Sequence, residues 1–322
     1  MPADGSDAAA PICPVCGSHS SFSLVKDGCS YFECSRCEFL FHRPGSGEHA
    51  ASGQAFYDSG YWEEERKEAL RRETEDAFLR ALELLCLSSI RVMNVLDFGC
   101  GLGITVQLLR DKLGLNAIGV DVSGDFAETE HLHRCTLKEL SGKYPPGYFD
   151  AIYSVEVFEH LEDPKEILKD LHRLLKPRGK ILINTGTREY LSSHDQELNY
   201  IDPLRRGHIS IYSLKSFQQL ASAIGLTAEF VGVRRYEVLL STSPSWEIPH
   251  PENFERIRRL SEWHSVLFRE YMRLIYVERE LEERSIWAQQ LAKRVDRLSY
   301  VTRQFPAIRP FLRKVWKRLA RR

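Results

Sequence analysis

No apolar run in this chain is long enough to cross a bilayer, which removes the membrane-spanning class. The formal net charge is only −1, so nothing drives the whole molecule toward nucleic acid or anionic lipid. Residues 1–10 lack the basic block and apolar core of a secretory signal, and they read as a disordered tail. The expected compartment is the cytoplasm, with thiols kept reduced. The skewed composition of a disordered chain is missing too. With 43% hydrophobic and 28% charged residues over 322 positions, the chain suits one large globular domain with appendages.

Against that background the cysteines stand out. Four of the eight fall into two Cys-x-x-Cys knuckles, Cys13–Cys16 and Cys34–Cys37, separated by enough chain for a hairpin. In a reducing compartment this spacing points to a four-thiolate zinc site rather than a disulfide framework. Four protein ligands close the coordination shell, so such a zinc is structural. Lys26, Arg36 and Arg43 are offset by Asp27, Glu33 and Glu38, leaving no basic stripe for nucleic acid. Residues 11–43 are therefore expected to form a zinc ribbon.

The stretch Val95-Leu96-Asp97-Phe98-Gly99-Cys100-Gly101-Leu102-Gly103 organises the rest. It reads as a buried strand, then a turn with alternating glycines, then a helix over 104–113. Such a turn lets backbone approach a ligand closely at a helix N-terminus. A second strand over 116–123 ends in Asp121, about twenty residues on, where a carboxylate can accept both hydroxyls of a ribose. Val122 follows it. The fourth strand and its exit loop, Phe149 to Pro164, carry Ser154 and the run Glu156-x-x-Glu159-His160. A helix over 165–175 stops at Lys176-Pro177-Arg178-Gly179, and 180–185 is a fifth strand. Segments 226–233 and 236–241 read as a closing antiparallel hairpin. The order implies an α/β fold with a doubly wound, mostly parallel sheet. The ligand is then expected beyond the carboxyl ends of the strands.

VLDFGCGLG, together with FDAIYSVEVFEHLEDP, resembles the corresponding stretches of class I S-adenosylmethionine (SAM)-dependent methyltransferases, including ubiquinone-type O-methyltransferases. The resemblance covers about residues 55–240. It implies a Rossmann-like domain over 54–242 and SAM held by Asp97, Gly99, Gly101, Gly103, Asp121, Val122 and Ser154. Tyr57, in an aromatic segment before the helix over 63–87, is either a lid on that ligand or a hydrophobic staple. The strand near 131–140 is weak, and Thr136 and Leu137 are the nearest candidates for an adenine contact. A zinc ribbon before the domain is shared with some relatives, including nucleotide-sugar C-methyltransferases.

The polar stretch 186–209 leaves the fifth strand and should line the acceptor pocket. Three readings of the chemistry stay open. Glu156, Glu159 and His160, joined by His208, could hold a divalent ion such as Mg2+, as in metal-assisted relatives. Alternatively a metal-free pocket has His160, His194 or His208 as base, with Tyr200 or Tyr212 orienting the acceptor. Thirdly, the run is a structural turn. Ser213 or Ser216 caps the next helix.

From 250 to 322 the chain is expected to be helical. Heptad apolar positions suggest a coiled-coil homodimer or a hairpin folded back on its own domain. The basic amphipathic end over 305–322 suits either a membrane surface, at the inner face, or a solvated tail. Long helices of this kind resemble those appended to bacterial surface-glycan enzymes. The expected function is methyl transfer to an oxygen or carbon of a small-molecule, saccharide or lipid-linked acceptor. Rivals are an RNA methyltransferase, disfavoured by the neutral charge, a non-catalytic SAM-fold scaffold, and an NAD enzyme, whose loop should read G-x-G-x-x-G.

Overall fold

The computed structural model of the chain describes residues 11–42, 73–194, 196–204, 206–231, 236–242, 248 and 250–261. Tyr57, the aromatic segment around it, the heptad region beyond 261 and the basic end over 305–322 lie outside the described residues. Contacts divide the chain into two compact units, Met1–Arg259 and Leu260–Arg322, and the first contains both sheets.

The larger sheet has seven strands in the order β10-β11-β8-β7-β4-β5-β6. Its central strand β4 (Asn94–Phe98) pairs in parallel with β5 (Asn116–Asp121) and with β7 (Phe149–Val155). β6 (Leu132–Arg134) and β8 (Leu175–Asn184) extend it in parallel on either side. β10 (Thr227–Phe230) and β11 (Glu237–Ser241) close one edge as an antiparallel hairpin, as the apolar pattern anticipated. The chain runs outward in one direction from β4 through β5 to β6, then returns to build the other half. The switch point therefore falls between β4 and β7, beneath the glycine loop. β4, β5, β7 and β8 are buried on both faces, which explains their near-continuous apolar runs. Helices α1 (Glu73–Leu87), α2 (Ile104–Leu113), α3 (Leu137–Lys143), α4 (Pro164–Leu174) and α7 (Leu214–Ser222) surround it, with α8 (Pro251–Ser261) at the end.

Several boundaries differ from the sequence reading. Helix α4 ends at Leu174, and β8 begins at once, with Lys176–Gly179 looped out between the pairs Phe149↔Leu175 and Ala151↔Lys180. Pro177 has no ladder donor, and Arg178 takes φ 64°, so these residues break the register rather than the strand. The excursion lets Lys176 Nζ reach Asp150 Oδ1 at 2.6 Å. The weak third strand does form. Thr136 after it is the N-cap of α3 in a capping box with Glu139, and Leu137 is core, so Leu137 does not face an adenine. Within 186–209 the chain is also less irregular than its polarity suggests. α5 (Arg188–Leu191), a 3-10 turn over Ser192–His194 and α6 (Glu197–Tyr200) order it.

The smaller sheet is antiparallel throughout, in the order β1-β2-β3-β9. β1 (Ser20–Lys26) and β2 (Cys29–Cys34) form a hairpin whose turn is Asp27-Gly28, both with positive φ (52° and 80°). β3 (Leu40–His42) adds to β2, and β9 (Ser210–Ile211), from the segment after α6, adds to β3.

Candidate active site and cysteine cluster

At the carboxyl end of β4, Gly99, Gly101 and Gly103 take φ of 83°, 53° and 71°, which side-chain-bearing residues rarely adopt. The loop is folded onto its neighbour strand: Gly99 N and Cys100 N both donate to Val120 O, at 2.8 and 3.2 Å. A Cβ on Gly99 would lie 2.2 Å from Val157 Cγ2, so the loop touches the exit of β7 where no methyl group fits. Gly103 caps α2 without any side-chain hydrogen bond, leaving the first-turn amides for a ligand. Asp121, at the end of β5, is already oriented. Its Oδ2 accepts from Gly101 N at 3.0 Å, and its Oδ1 from Ser123 N and Oγ at 2.8 and 3.2 Å. Val122 beside it is 51% exposed, an apolar surface next to a carboxylate that retains lone pairs. Asp97 lies below, 5% exposed, accepting a 2.7 Å bond from Tyr153 Oη. Burial pushes its carboxyl up to about 7, against the Tyr153 bond and with Asp121 adding to the rise. Ser154 is enclosed within β7, and its hydroxyl has no partner among the described residues. It is thus closed to a ligand rather than open in the crevice.

Across the switch point, the turn after β7 carries the second group. Glu159 is completely buried. Its Oε2 accepts from Thr185 Oγ1 at 2.7 Å and its Oε1 from Tyr200 Oη at 2.8 Å. His208 Nε2 stands 3.9 Å from Oε1. The opposite ring nitrogen, Nδ1, lies 2.9 Å from Tyr200 O, and His160 Nδ1 lies 3.0 Å from Gly207 O. A carbonyl only accepts, so both Nδ1 atoms carry a proton, and in the neutral His208 ring Nε2 then presents a lone pair. The two rings meet edge to face with centroids 4.9 Å apart. Burial pushes Glu159 up, but the two imidazoles and its hydrogen bonds hold it below the usual carboxylate value. Burial outweighs Glu159 at His208 and lowers its imidazole, favouring the neutral form.

The sequence candidates are thus sorted. Glu159, His160 and His208 converge, each offering one ligand atom within 4.8 Å of the others, whereas Glu156 is not in that set. His194 stands apart: it stacks on Tyr190 at 4.4 Å, with Nδ1 bonded to Tyr190 O and Ser193 Oγ. A series of rings, Tyr190 to Tyr236 to Tyr200, leads from it toward the cluster. Tyr212 is core. Its hydroxyl donates to Phe158 O at 3.0 Å and its ring stacks on Phe217, so it does not orient an acceptor. Thr185 escaped the sequence reading, although its place at the carboxyl end of β8 was a signal in its favour. Tyr31 and Tyr153 had no such signal, since each looks like an ordinary strand aromatic.

In the small sheet, Cys13, Cys16, Cys34 and Cys37 bring their sulfurs within 4.8 Å of one another, a set able to hold a metal ion. Cys13 and Cys37 sulfurs are 3.6 Å apart and Cys16 and Cys34 sulfurs 3.4 Å, and all four are unpaired thiols. The contact with Cys37 holds the Cys13 thiol down to about 5, and the same contact with burial pushes Cys37 up. The two sulfurs therefore compete for one proton, as groups gathered for a shared cation do.

Comparison with known proteins follows the same lines. Over 119 residues the chain is 30% identical to the chloroplastic tocopherol O-methyltransferase of Arabidopsis thaliana, covering 34% of each chain. Over 105 residues it is 32% identical to the ubiquinone biosynthesis O-methyltransferase of Pseudomonas aeruginosa, covering 30% of this chain and 45% of that one. The chain thus spans less than half the length of these curated relatives. A solved SAM-dependent methyltransferase from Archaeoglobus fulgidus superposes with a TM-score of 0.43 at 24% identity, over 54% of this chain and 78% of that one. The profile of the family described as "Methyltransferase domain" matches residues 61–229, more than half of the chain, and the chain belongs to that family.

Proposed function

We propose that the protein is a SAM-dependent methyltransferase that moves a methyl group to an oxygen, or a carbon, of a small-molecule, saccharide or lipid-linked acceptor. The observation that carries this is the pairing of two preformed halves at one switch point. One is the glycine cradle with its oriented Asp121, and the other is the Glu159–His208 cluster. Bound SAM would supply an electrophilic methyl on a sulfonium. Gly99, Gly101 and Gly103 leave room for backbone contact, Asp121 has lone pairs for ribose hydroxyls, and Val122 offers an apolar face to an adenine. Asp97 supplies negative charge beneath the loop. On the other side, the His208 Nε2 lone pair takes the acceptor's proton, and Glu159, held by Tyr200 and Thr185, stabilises the imidazolium. Alignment of the acceptor with the methyl then supplies much of the rate, with no covalent intermediate. His160 lines the same turn, and His194 sits further along the ring series, where an acceptor would extend.

The four thiols suit a structural Zn2+, for which the ideal tetrahedral sulfur–sulfur edge is about 3.8 Å. Metal analysis of the purified chain should return one zinc per molecule. The Mg2+ expectation finds less support: two imidazoles and one carboxylate form a nitrogen-rich set, unlike the oxygen donors magnesium favours. No helix among the described residues is long and apolar enough to cross a membrane. A peripheral contact through 305–322 and a homodimer through the heptad-patterned residues before it remain part of this proposal. Vesicle co-sedimentation and light scattering, with and without the tail, test them. The deciding experiment is incubation with methyl-labelled SAM and fractionated cell extract. Label is expected in a small-molecule, glycan or lipid fraction; label confined to RNA, or no transfer at all, would sink the reading.

A further inference from the structure

The cysteine ribbon and the histidine–glutamate cluster are far apart in sequence but grip the same few residues. On one side of segment 208–213, Leu40 and Phe41 of β3 pair with Ile211 and Ser210, and His42 N donates to Ile209 O at 2.8 Å. On the other side, Ile209 N and Ser210 Oγ both donate to Glu159 O, at 3.0 and 3.4 Å. The fully buried Tyr31, in β2, donates its hydroxyl to the His208 carbonyl at 3.3 Å. Ser213 Oγ donates to the Cys37 carbonyl at 2.6 Å, fastening the far end of the segment to a cysteine knuckle. Arg188 adds a strut, with Glu33 of β2 at 2.5 Å and Glu197 of α6 at 3.2 Å. None of the hydrogen bonds described for Gly99, Gly101, Gly103 or Asp121 involves residues 11–42.

A strand of two residues has little hold of its own, and β9 exists because β3 supplies its ladder. Cys34 ends β2 and Cys37 precedes β3, so whatever fixes the four sulfurs fixes the strands that carry Tyr31 and the β9 ladder. The His208 imidazole is tied to its own backbone neighbourhood through Tyr200 O. A shift of its main chain therefore moves Nε2 against Glu159 directly. We infer that the ribbon is a clamp on the acceptor side of the site alone, and that Tyr31 is a positioning residue for the His208 imidazole. The clamp rests on the reading of His208 as the base; the nucleotide side stands free of it.

The test compares the zinc-loaded full chain with the chelator-stripped chain and with Tyr31→Phe. Stripping should speed amide exchange at Ile211 at least tenfold while the affinity for S-adenosylhomocysteine stays within twofold. Tyr31→Phe should keep its zinc and its S-adenosylhomocysteine affinity. Its Ile209 amide, bonded to Glu159 O, should exchange about threefold to tenfold faster, the worth of one hydrogen bond, and the His208 Cε1 chemical shift should move. Unchanged exchange on stripping, a tenfold loss of S-adenosylhomocysteine affinity, or an unmoved His208 signal in Tyr31→Phe would overturn the clamp. Should the stripped chain unfold, Tyr31→Phe decides alone. Failure of the intact zinc-loaded chain to bind S-adenosylhomocysteine would count against the methyltransferase reading instead, and exchange at β9 would still decide the clamp.

Discussion

Two buried acids, Asp97 and Glu159, meet opposite fates because of what surrounds them. Glu159 faces two imidazoles and is further lowered by a backbone hydrogen bond and one with Glu156, whereas Asp97 receives one hydroxyl and lies near another acid. Asp97 therefore carries a folded-state value of about 7 against 3.8 for the free group. The folded chain holds that proton more tightly than the unfolded one, so this site costs stability as pH rises from about 4 through 7. A bound cation reverses the balance. SAM carries net positive charge, so its affinity should rise as pH passes through about 7, with a proton released on binding. Calorimetry at pH 7 in buffers of different ionisation enthalpy reads that proton directly. A zero slope would exclude Asp97 as the coupled group, and Asp97→Asn should abolish the slope while weakening SAM tenfold or more. At His208 the shift runs the other way. Burial lowers its imidazole below the ordinary value, so on the proposed reading of His208 as the base the acidic limb of kcat should lie beneath 6.5. His208→Gln should cost about a hundredfold to ten-thousandfold in kcat, the usual range for a general base, with SAM affinity unchanged.

Among the elements, the strand–loop–helix unit makes the sharpest stability forecast. Gly99→Ala forces a side chain into φ 83° and sets its Cβ 2.2 Å from Val157 Cγ2. The left-handed backbone alone costs about 1–2 kcal/mol, and the clash adds to it. Urea denaturation should show the loss, and Val157→Ala in the same chain should recover the clash but not the backbone share. This unit was legible from sequence because every signal in it is local: apolar run, alternating glycines, helical period. Helix α2 runs from Ile104 to Leu113 as the pattern required, and the β10–β11 hairpin was equally plain. β8 was misread because Lys-Pro-Arg-Gly carries the local signature of a helix stop followed by a turn, while the actual outcome is a looped-out register shift. β9 was invisible for a different reason. Two residues have no periodicity, and their strand character comes entirely from β3, on a chain segment far away. The same holds for the site. Asp121, Glu159 and His208 were candidates by type and position, but the contacts of Tyr31 with His208 O and of Thr185 with Glu159 are ones that no spacing records.

At the scale of the whole molecule, the glycine loop and the cysteine ribbon anchor to different sheets. The loop hangs on β4, β5 and the exit of β7, and the ribbon hangs on β9, behind the Glu159 turn. Their stabilising effects should therefore add. S-adenosylhomocysteine at a hundred times its Kd should raise unfolding free energy by about 2.7 kcal/mol, by mass action on the folded state alone. Zinc removal should lower it by its own amount. Because the two sites share no hydrogen-bond partner among the described residues, the double perturbation should equal the sum within about 0.5 kcal/mol. Denaturant unfolding of the four states, with and without each ligand, measures all the terms. A larger coupling would mean that the ribbon reaches the nucleotide side through the turn between β7 and α4. That turn touches both partners: Val157 packs under Gly99, and Glu159 O receives the β9 segment. On the proposed reading it is the route by which acceptor binding would be felt at the methyl donor, so the size of the coupling also measures how independently the two ligands bind.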